Sequence, residues 1–217
     1  MEKLRELLQN NRTWAARVAA DDPGFFTRLA AQQKPSYLWI GCSDSRVPAN
    51  QIVGVLPGEI FVHRNVANLV IHSDLNCLSV LQFAVDLLEV KHVIVCGHYG
   101  CSGVAAALHE ERHGLVDNWL RHLQDVAREH RALLDRVSNT QQRLELLTEL
   151  NILTQVANVA ETTIAQDAWA RGQSLAIHGW AYDIHDGLLR DMDIALTGPG
   201  QAEDVVARAL QRLANAR

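Results

Sequence analysis

The sequence predicts an α/β protein with a mostly parallel sheet of four to five strands, flanked by helices and preceded by an N-terminal helical arm. Short β-branched and aromatic runs alternate along the chain with longer segments of helical period. Two of these runs end directly at a glycine, Gly41 and Gly97, which is a common signal for the end of a strand. Strands that alternate with helices are typical of a parallel sheet covered on both faces.

The individual elements can be assigned in order from the amino terminus. The first thirty-odd residues begin with an apolar stripe at Leu4, Leu7 and Leu8, and the turn-forming segment 22–24 separates it from a second helix at 25–33. The predicted strands cover 37–40, 59–63, 92–96, 174–180 and 188–196, the last of them at an edge of the sheet. Beyond the arm, the predicted helices cover 75–90, several segments within 118–171, and 201–217.

Composition excludes several functional classes. The 217 residues include 20 Lys and Arg against 25 Asp and Glu, a net charge of −5, so a basic surface for nucleic acid is not expected. The apolar runs are too short to cross a membrane, and the first helix lacks the continuous apolar stretch of a signal peptide. We therefore expect a cytoplasmic protein with one domain over 1–217, made of an arm (1–35), an α/β core (36–200) and a C-terminal helix (201–217).

Candidate metal ligands follow two of the predicted strands. Cys42 and Asp44 come after the first strand, and His98 and Cys101 come after the third. Ligands of open α/β sheets bind beyond the carboxyl ends of the strands, where these four side chains can face one point. Thiolate, imidazole and carboxylate groups all bind zinc, and four such ligands complete a tetrahedral site. The sequence therefore predicts a Zn²⁺ site at this end of the sheet.

Simpler interpretations exist for each residue taken alone. Cys42 and Cys101 would also serve as small buried residues, Asp44 as a turn former and His98 as a helix cap. The coincidence of all four at two strand ends favours the metal site. The remaining cysteines, at 77 and 96, lie within apolar patterns and are expected in the core.

Three longer motifs share one resemblance. The segments CSDSR (Cys42–Arg46), HRNVAN (His63–Asn68) and GHYGC (Gly97–Cys101) resemble those of the β-class carbonic anhydrases, and the similarity extends from 21–26 to 177–187. The resemblance implies a zinc enzyme, a carbonate dehydratase that interconverts carbon dioxide and bicarbonate. It also implies self-association, as a homodimer or as a dimer of dimers (a homotetramer), with N-terminal helices that embrace the neighbouring subunit.

A zinc site closed by four protein ligands is structural, whereas a catalytic site keeps one position open. Arg46 lies two residues beyond Asp44 and can hold that carboxylate in a bidentate pair. We therefore expect Asp44 and Arg46 to be the catalytic residues, with Asp44 alternating between zinc and Arg46. Water has access to the metal when the carboxylate is on the arginine.

The resemblance also assigns residues beyond the zinc ligands. Members of the family that are inhibited allosterically by bicarbonate carry a second pocket, and the matching residues here are Trp39, Arg64 and Tyr182, with Val47 moving to cover the ion. Gln33 matches the family's substrate-binding glutamine and would act across the dimer interface.

Ser102 and Gly103 stand where the family usually has two glycines. Their backbone N–H groups are expected to bind the substrate and hold a developing anion, provided that Ser102 adopts backbone angles open to a residue with a Cβ atom.

Two alternative functions remain at this point. A zinc hydrolase of the same fold would act on another small substrate, such as carbon disulfide, and the sequence does not separate this activity from the first. A non-catalytic zinc-binding sensor would keep Asp44 on the metal permanently. The presence of Arg46 speaks against the sensor, because a permanently closed site has no use for that neighbour.

Overall fold

The computed structural model describes residues 2–216 and divides the chain into two units, which meet between Lys34 and Pro35. The N-terminal unit contains helices α1 (Glu2–Asp21) and α2 (Phe25–Ala31). It is the N-terminal helical segment that the sequence predicts. The leucines of the apolar stripe remain about two-thirds exposed: they are 66% (Leu4), 63% (Leu7) and 62% (Leu8) accessible. The stripe is therefore an exposed apolar face of α1.

The second unit contains a five-stranded sheet. Its strands are β1 (Tyr37–Cys42), β2 (Ile60–Asn65), β3 (His92–His98), β4 (Ala176–Asp183) and β5 (Leu188–Leu196). Their order is β2-β1-β3-β4-β5, with β5 antiparallel at the edge and every other pairing parallel. The predicted fold class and the position of the last strand are both confirmed.

Helices and helical turns surround this sheet. The α-helices are α3 (Ala49–Val53), α4 (Leu75–Gln82), α5 (Ser102–Leu108), α6 (Val116–Glu129), α7 (Arg131–Leu134), α8 (Thr140–Glu161), α9 (Thr163–Ala170) and α10 (Ala202–Asn215). The helix predicted over 75–90 is divided: α4 ends at Gln82 and continues as a π-helical turn, Phe83–Leu87. Glu89 then takes a positive φ of 52°, which ends the helical path before β3.

Helix α8 packs closely against β3 and β4, and two glycines permit this approach. A Cβ atom on Gly97 would lie 2.7 Å from Cγ1 of Ile152, and one on Gly179 would lie 3.1 Å from Cγ2 of the same side chain. Ile152 is fully buried in the main core cluster. The contact fixes the height of α8 above the carboxyl end of β3, where the predicted ligand His98 lies.

Within the described range 2–216, no helix has both the length and the apolar character needed to cross a bilayer. The four cysteines are all buried, and none forms a disulfide.

Candidate metal centre

Three of the predicted ligands meet at the carboxyl ends of neighbouring strands. Cys42 is the last residue of β1 and His98 is the last residue of β3, which pairs with β1 in parallel. Cys101 stands at the N-cap of α5, three residues beyond His98. The donor atoms of these three side chains all lie within 4.8 Å of one another. The pairing of β1 with β3 thus brings Cys42 close to Cys101, which lies 59 residues further along the chain.

The spacing of the donors fits a tetrahedral metal ion. The two Sγ atoms are 3.8 Å apart, whereas a disulfide needs about 2.0 Å. Two thiolates at about 2.3 Å from a tetrahedral ion are separated by about 3.8 Å. Nδ1 of His98 faces the Tyr99 carbonyl at 3.1 Å, which places the ring proton on Nδ1 and leaves Nε2 as the free donor. Nε2 is buried and has no hydrogen-bond partner among residues 2–216, as a ligand atom would be.

The two thiols share one proton in the absence of a metal. The pKa of Cys42 is lowered because the Cys101 thiol donates to it, and the His98 imidazole adds to the effect against the opposing influence of burial. The pKa of Cys101 is raised by the same hydrogen bond and by burial. A divalent cation would remove this conflict, because it favours both thiolates at once.

Backbone N–H groups also surround each sulfur. Those of Asp44 and Ala67 help to lower the pKa of Cys42, and those of Gly103 and Val104 oppose the rise in the pKa of Cys101. Such contacts orient thiolate ligands and reduce their charge density.

The fourth predicted ligand, Asp44, faces Arg46. Its Oδ1 accepts from Nε of Arg46 at 2.9 Å, and its Oδ2 accepts from Nη2 at 2.6 Å. This bidentate pair holds the pKa of the carboxyl far below its usual range. Oδ2 also lies 3.7 Å from Nε2 of His98. Asp44 is therefore an anion at the margin of the three-donor cluster, held by the arginine.

Arg64 supports the loop that carries these groups. Its Nε donates to the carbonyl of Cys42 at 2.8 Å, and its Nη2 donates to the carbonyl of Asp44. Val47 is buried and donates its backbone N–H to the same Asp44 carbonyl at 3.0 Å.

The two aromatic residues predicted for the second pocket pack together in one cluster. Trp39 is fully buried on β1, with its ring edge-to-face against Trp180 at 6.3 Å, and Tyr182 is partly buried against this cluster. Tyr182 pairs with His98 in the register of β3 and β4. Trp39 thus lies on the strand that ends at Cys42, and Tyr182 lies beside His98 on the neighbouring strand.

The predicted substrate-binding residues lie in different parts of the chain. Gln33 belongs to the N-terminal unit, directly after α2. Ser102 begins α5 with a negative φ, so its Cβ atom is tolerated, as the prediction required. A Cβ on Gly103 would lie 3.1 Å from Val66 and 3.2 Å from the Cβ of Ala67. Helix α5 therefore packs directly on Val66 and Ala67, and glycine at 103 leaves room for this contact.

A second group of possible ligands consists of His63, Asp74 and Cys77. Asp74 is the N-cap of α4 and accepts from the backbone N–H of Asn76 at 3.0 Å. Cys77 is three residues further along the same helix, and Nε2 of His63 contacts the Asn65 amide at 3.2 Å. Asp74 and Cys77 are close because both lie at the N-terminus of α4, where Asp74 caps the helix.

Sequence reasoning missed the backbone donors to the sulfurs. Ala67, one of these donors, has a left-handed conformation, with φ 64° and ψ 27°. The neighbouring Asn68, a residue that tolerates this region, was the available signal.

The fold and the site together define a class: an α/β protein with a candidate Cys₂His metal centre at the carboxyl ends of a parallel sheet. Comparison with known proteins specifies it further. The carbonic anhydrase family model matches residues 37–189. A carbonic anhydrase of Emericella nidulans is 45% identical over 193 residues, which cover 89% of this chain and 85% of that protein. The chain belongs to the β-class carbonic anhydrases.

Solved structures agree with this assignment. A Coccomyxa β-carbonic anhydrase, solved in complex with acetazolamide, superposes with a TM-score of 0.89 at 40% identity and covers 96% of each chain. One of two tetrameric β-carbonic anhydrases of Sordaria macrospora gives 0.86 at 37% identity, covering 91% of this chain and all of that one.

Proposed function

We propose that this enzyme catalyses the reversible hydration of carbon dioxide to bicarbonate and a proton with zinc held by Cys42, His98 and Cys101. The observation that carries the proposal is the cluster of three donors with a buried, unpartnered Nε2 on His98. When bound, zinc supplies the Lewis acidity that ionises water near neutral pH. Membership of the family supports the choice of substrate.

Asp44 acts beside the metal as a hydrogen-bond acceptor. Arg46 keeps the carboxyl group of Asp44 ionised, so Asp44 can accept hydrogen bonds but cannot donate one. Its Oδ2, 3.7 Å from His98 Nε2, is placed to orient the water that reacts with carbon dioxide. The carboxylate thus fixes the direction from which that water approaches.

The same carboxylate acts as a gate. Paired with Arg46 it would leave a bound metal accessible to water, and released from Arg46 it would serve as a fourth ligand. Support comes from the closeness of the two alternatives, because Asp44 contacts Arg46 directly and lies beside His98.

Bicarbonate is proposed to inhibit the enzyme from a pocket formed by Trp39, Arg64 and Tyr182, with Val47 covering the ion. Arg64 binds the carbonyls of Cys42 and Asp44, so an anion that draws its guanidinium away would release the loop that holds Asp44. Inhibition then follows from a shift of Asp44 toward the metal.

The enzyme is proposed to self-associate through its N-terminal helices, as a homodimer or a dimer of dimers. The exposed stripe of Leu4, Leu7 and Leu8 is suited to an apolar partner, and burying the exposed two-thirds of these three leucines contributes roughly 3–6 kcal/mol before the cost of association. The tetramers of the Sordaria relatives support this assembly. In it, Gln33 would reach the substrate of the neighbouring subunit. A cytoplasmic location is proposed because the four buried thiols suit a reducing compartment.

The proposed function is tested with Cys101→Ala and, as the matched control, Cys77→Ala. Cys101→Ala should lose bound zinc, measured by elemental analysis, and carbon dioxide hydration, measured by stopped flow. Cys77→Ala should keep both, because that thiol is buried away from the cluster. A metal-free parent protein, or an active Cys101→Ala enzyme, would contradict the proposal. Sulfide release from carbon disulfide, measured in parallel, decides the alternative substrate.

A further inference from the structure

A strained turn at Ala67 and Asn68 packs beside the metal ligand Cys42, because Ala67 and Cys42 lie in one buried cluster. Ala67 and Asn68 follow one another with φ of 64° and 49°, a region that residues with a Cβ atom rarely adopt. Both residues are buried, and the side-chain Nδ2 of Asn68 has no hydrogen-bond partner among the described residues. Strain of this kind persists only where the surroundings enforce it, and it often marks a functional position.

The strained conformation has a local consequence at the metal site. Ala67 and Cys42 pack in the same buried cluster, and the backbone N–H of Ala67 helps to lower the pKa of the Cys42 thiol. The Asn65 carbonyl accepts from the backbone N–H of Ser43 at 2.8 Å, so the turn and the ligand are also joined through the chain. The turn therefore controls one of the donors that surround this sulfur.

Asn151 on helix α8 holds the turn from below. Its Nδ2 donates to the Ala67 carbonyl at 2.9 Å, and its side chain is fully buried. Its Oδ1 in turn accepts from Nε2 of Gln155 at 3.0 Å. The amide of Asn151 is thus fixed at both ends and cannot rotate away from Ala67.

The support continues along the same face of α8. Oε1 of Gln155 accepts from the backbone N–H of Val70 at 2.8 Å and from Nδ2 of Asn158 at 3.1 Å. Nδ2 of Asn158 also donates to the Val70 carbonyl at 2.9 Å. Asn151, Gln155 and Asn158 are spaced i, i+4 and i+7, so they form one polar row, which we name the α8 amide row. This row fixes both ends of the turn against the helix.

We propose that Asn151 is a positioning residue for the metal ligand Cys42: by clamping Ala67 in its left-handed conformation, it keeps a backbone N–H on the sulfur. The inference rests on the proposed function in that Cys42 must bind a metal. Partners behind a ligand set its orientation and its donor strength. Asn151 acts here without touching either the metal or the ligand, through one backbone carbonyl.

The test uses the full-length protein loaded with cobalt in place of zinc. In Asn151→Leu the amide that fixes Ala67 is removed, and the N–H of Ala67 is no longer held on the sulfur. The sulfur lone pair then rises in energy, so the thiolate-to-cobalt charge-transfer band should move to longer wavelength. Metal affinity, measured by competition with a chelator, should fall about 10-fold or more.

The matched control is Asn158→Leu, which breaks the far end of the α8 amide row. It should leave the band in place, because Asn158 reaches Val70 and not Ala67. If Asn151→Leu does not fold, Asn151→Ser serves instead, since its shorter hydroxyl leaves space for water at the Ala67 carbonyl.

Three outcomes decide the matter. A shifted band and weaker binding in the Asn151 variant alone support the proposal. A folded Asn151 variant with the parent's band and affinity overturns it, as does an equal shift in Asn158→Leu. A parent protein that shows no thiolate-to-cobalt band refutes the metal site itself, which is a separate failure.

Discussion

Arg46 holds Asp44 by both carboxylate oxygens and, through the same Nη2 atom, also donates to the Gly100 carbonyl at 3.1 Å. One guanidinium therefore connects the loop after β1 with the loop after β3. Since Cys42 and His98 end these two strands, the Asp44–Arg46 pair also joins the segments that carry the proposed ligands.

Replacing Arg46 should close the site. In Arg46→Ala the Asp44 carboxylate loses its partner and moves toward the metal, so kcat/KM for carbon dioxide should fall about 100-fold. Arg46→Lys, which keeps the charge but cannot bind both oxygens, should lie between the variant and the parent. Stopped-flow hydration measures both. An Arg46→Ala enzyme as fast as the parent at every pH would refute the gate.

Replacing Trp39 should remove bicarbonate inhibition. Trp39→Phe removes the indole N–H that is proposed to donate to bicarbonate, and the loss of one hydrogen bond weakens the binding of an anion by about 10-fold or more. The inhibition constant should therefore rise by at least that factor, while the zinc content stays unchanged. Trp180→Phe is the control, because it disturbs the same ring pair from the other side. Equal inhibition in Trp39→Phe and the parent would leave no role for this pocket.

Adding a methyl group at Gly97 should destabilise the fold. The new Cβ would lie 2.7 Å from Ile152, and forcing the two apart should lower the free energy of unfolding by about 1–3 kcal/mol. Gly198→Ala is the control, since its nearest neighbour would be the flexible Gln201 at 3.5 Å. Urea unfolding measures both. Equal stabilities would show that α8 does not depend on close contact with β3.

Acidification should destabilise the protein through a histidine pair at the other end of the sheet. Nδ1 of His92 lies 3.1 Å from Nε2 of His178. Burial lowers the pKa of His178, and His92 adds to this against the weaker opposing charge of Asp191. The unfolded chain takes up this proton near pH 6.5 while the folded chain resists it, so stability should fall as the pH drops below about 6.5.

The measurement compares urea unfolding at about pH 7.5 and about pH 5.5. His178→Gln should lose less stability between these values than the parent does. Burial lowers the pKa of His63 as well, so part of the pH dependence should remain in the variant. An undiminished loss in His178→Gln would exclude the histidine pair as its source.

The ends of β1 and β3 could be located from local sequence, and with them most of the metal centre. Both strands nevertheless run past the glycines that were expected to end them, to Cys42 and His98. Gly41 lies under the Trp39 ring and Gly97 under Ile152, so each glycine provides room for packing within a strand. The partner Ile152 is distant in sequence, and a local pattern cannot show it.

The support behind the site could not be predicted for the same reason. Asn151 contacts Ala67 across 84 residues, and nothing near either residue indicates the other. Family resemblance predicts Arg64 in a pocket for bicarbonate, and that role stays a prediction; its hydrogen bonds to the backbone beside Cys42 depend on the pairing of β1 with β2 and could not be predicted. The positions of side chains could be predicted where a single strand end determines them. They could not be predicted where a contact between two distant elements determines them.

The separation of 59 residues between Cys42 and Cys101 bears on the order of events during biogenesis. A zinc finger draws its ligands from a short stretch, so the cation can organise the polypeptide around itself. Here the three donors meet only after β1 and β3 have paired, and long-range pairing of this kind is the slow step of folding. Nascent chains should therefore mature as apoprotein first and acquire their metal last.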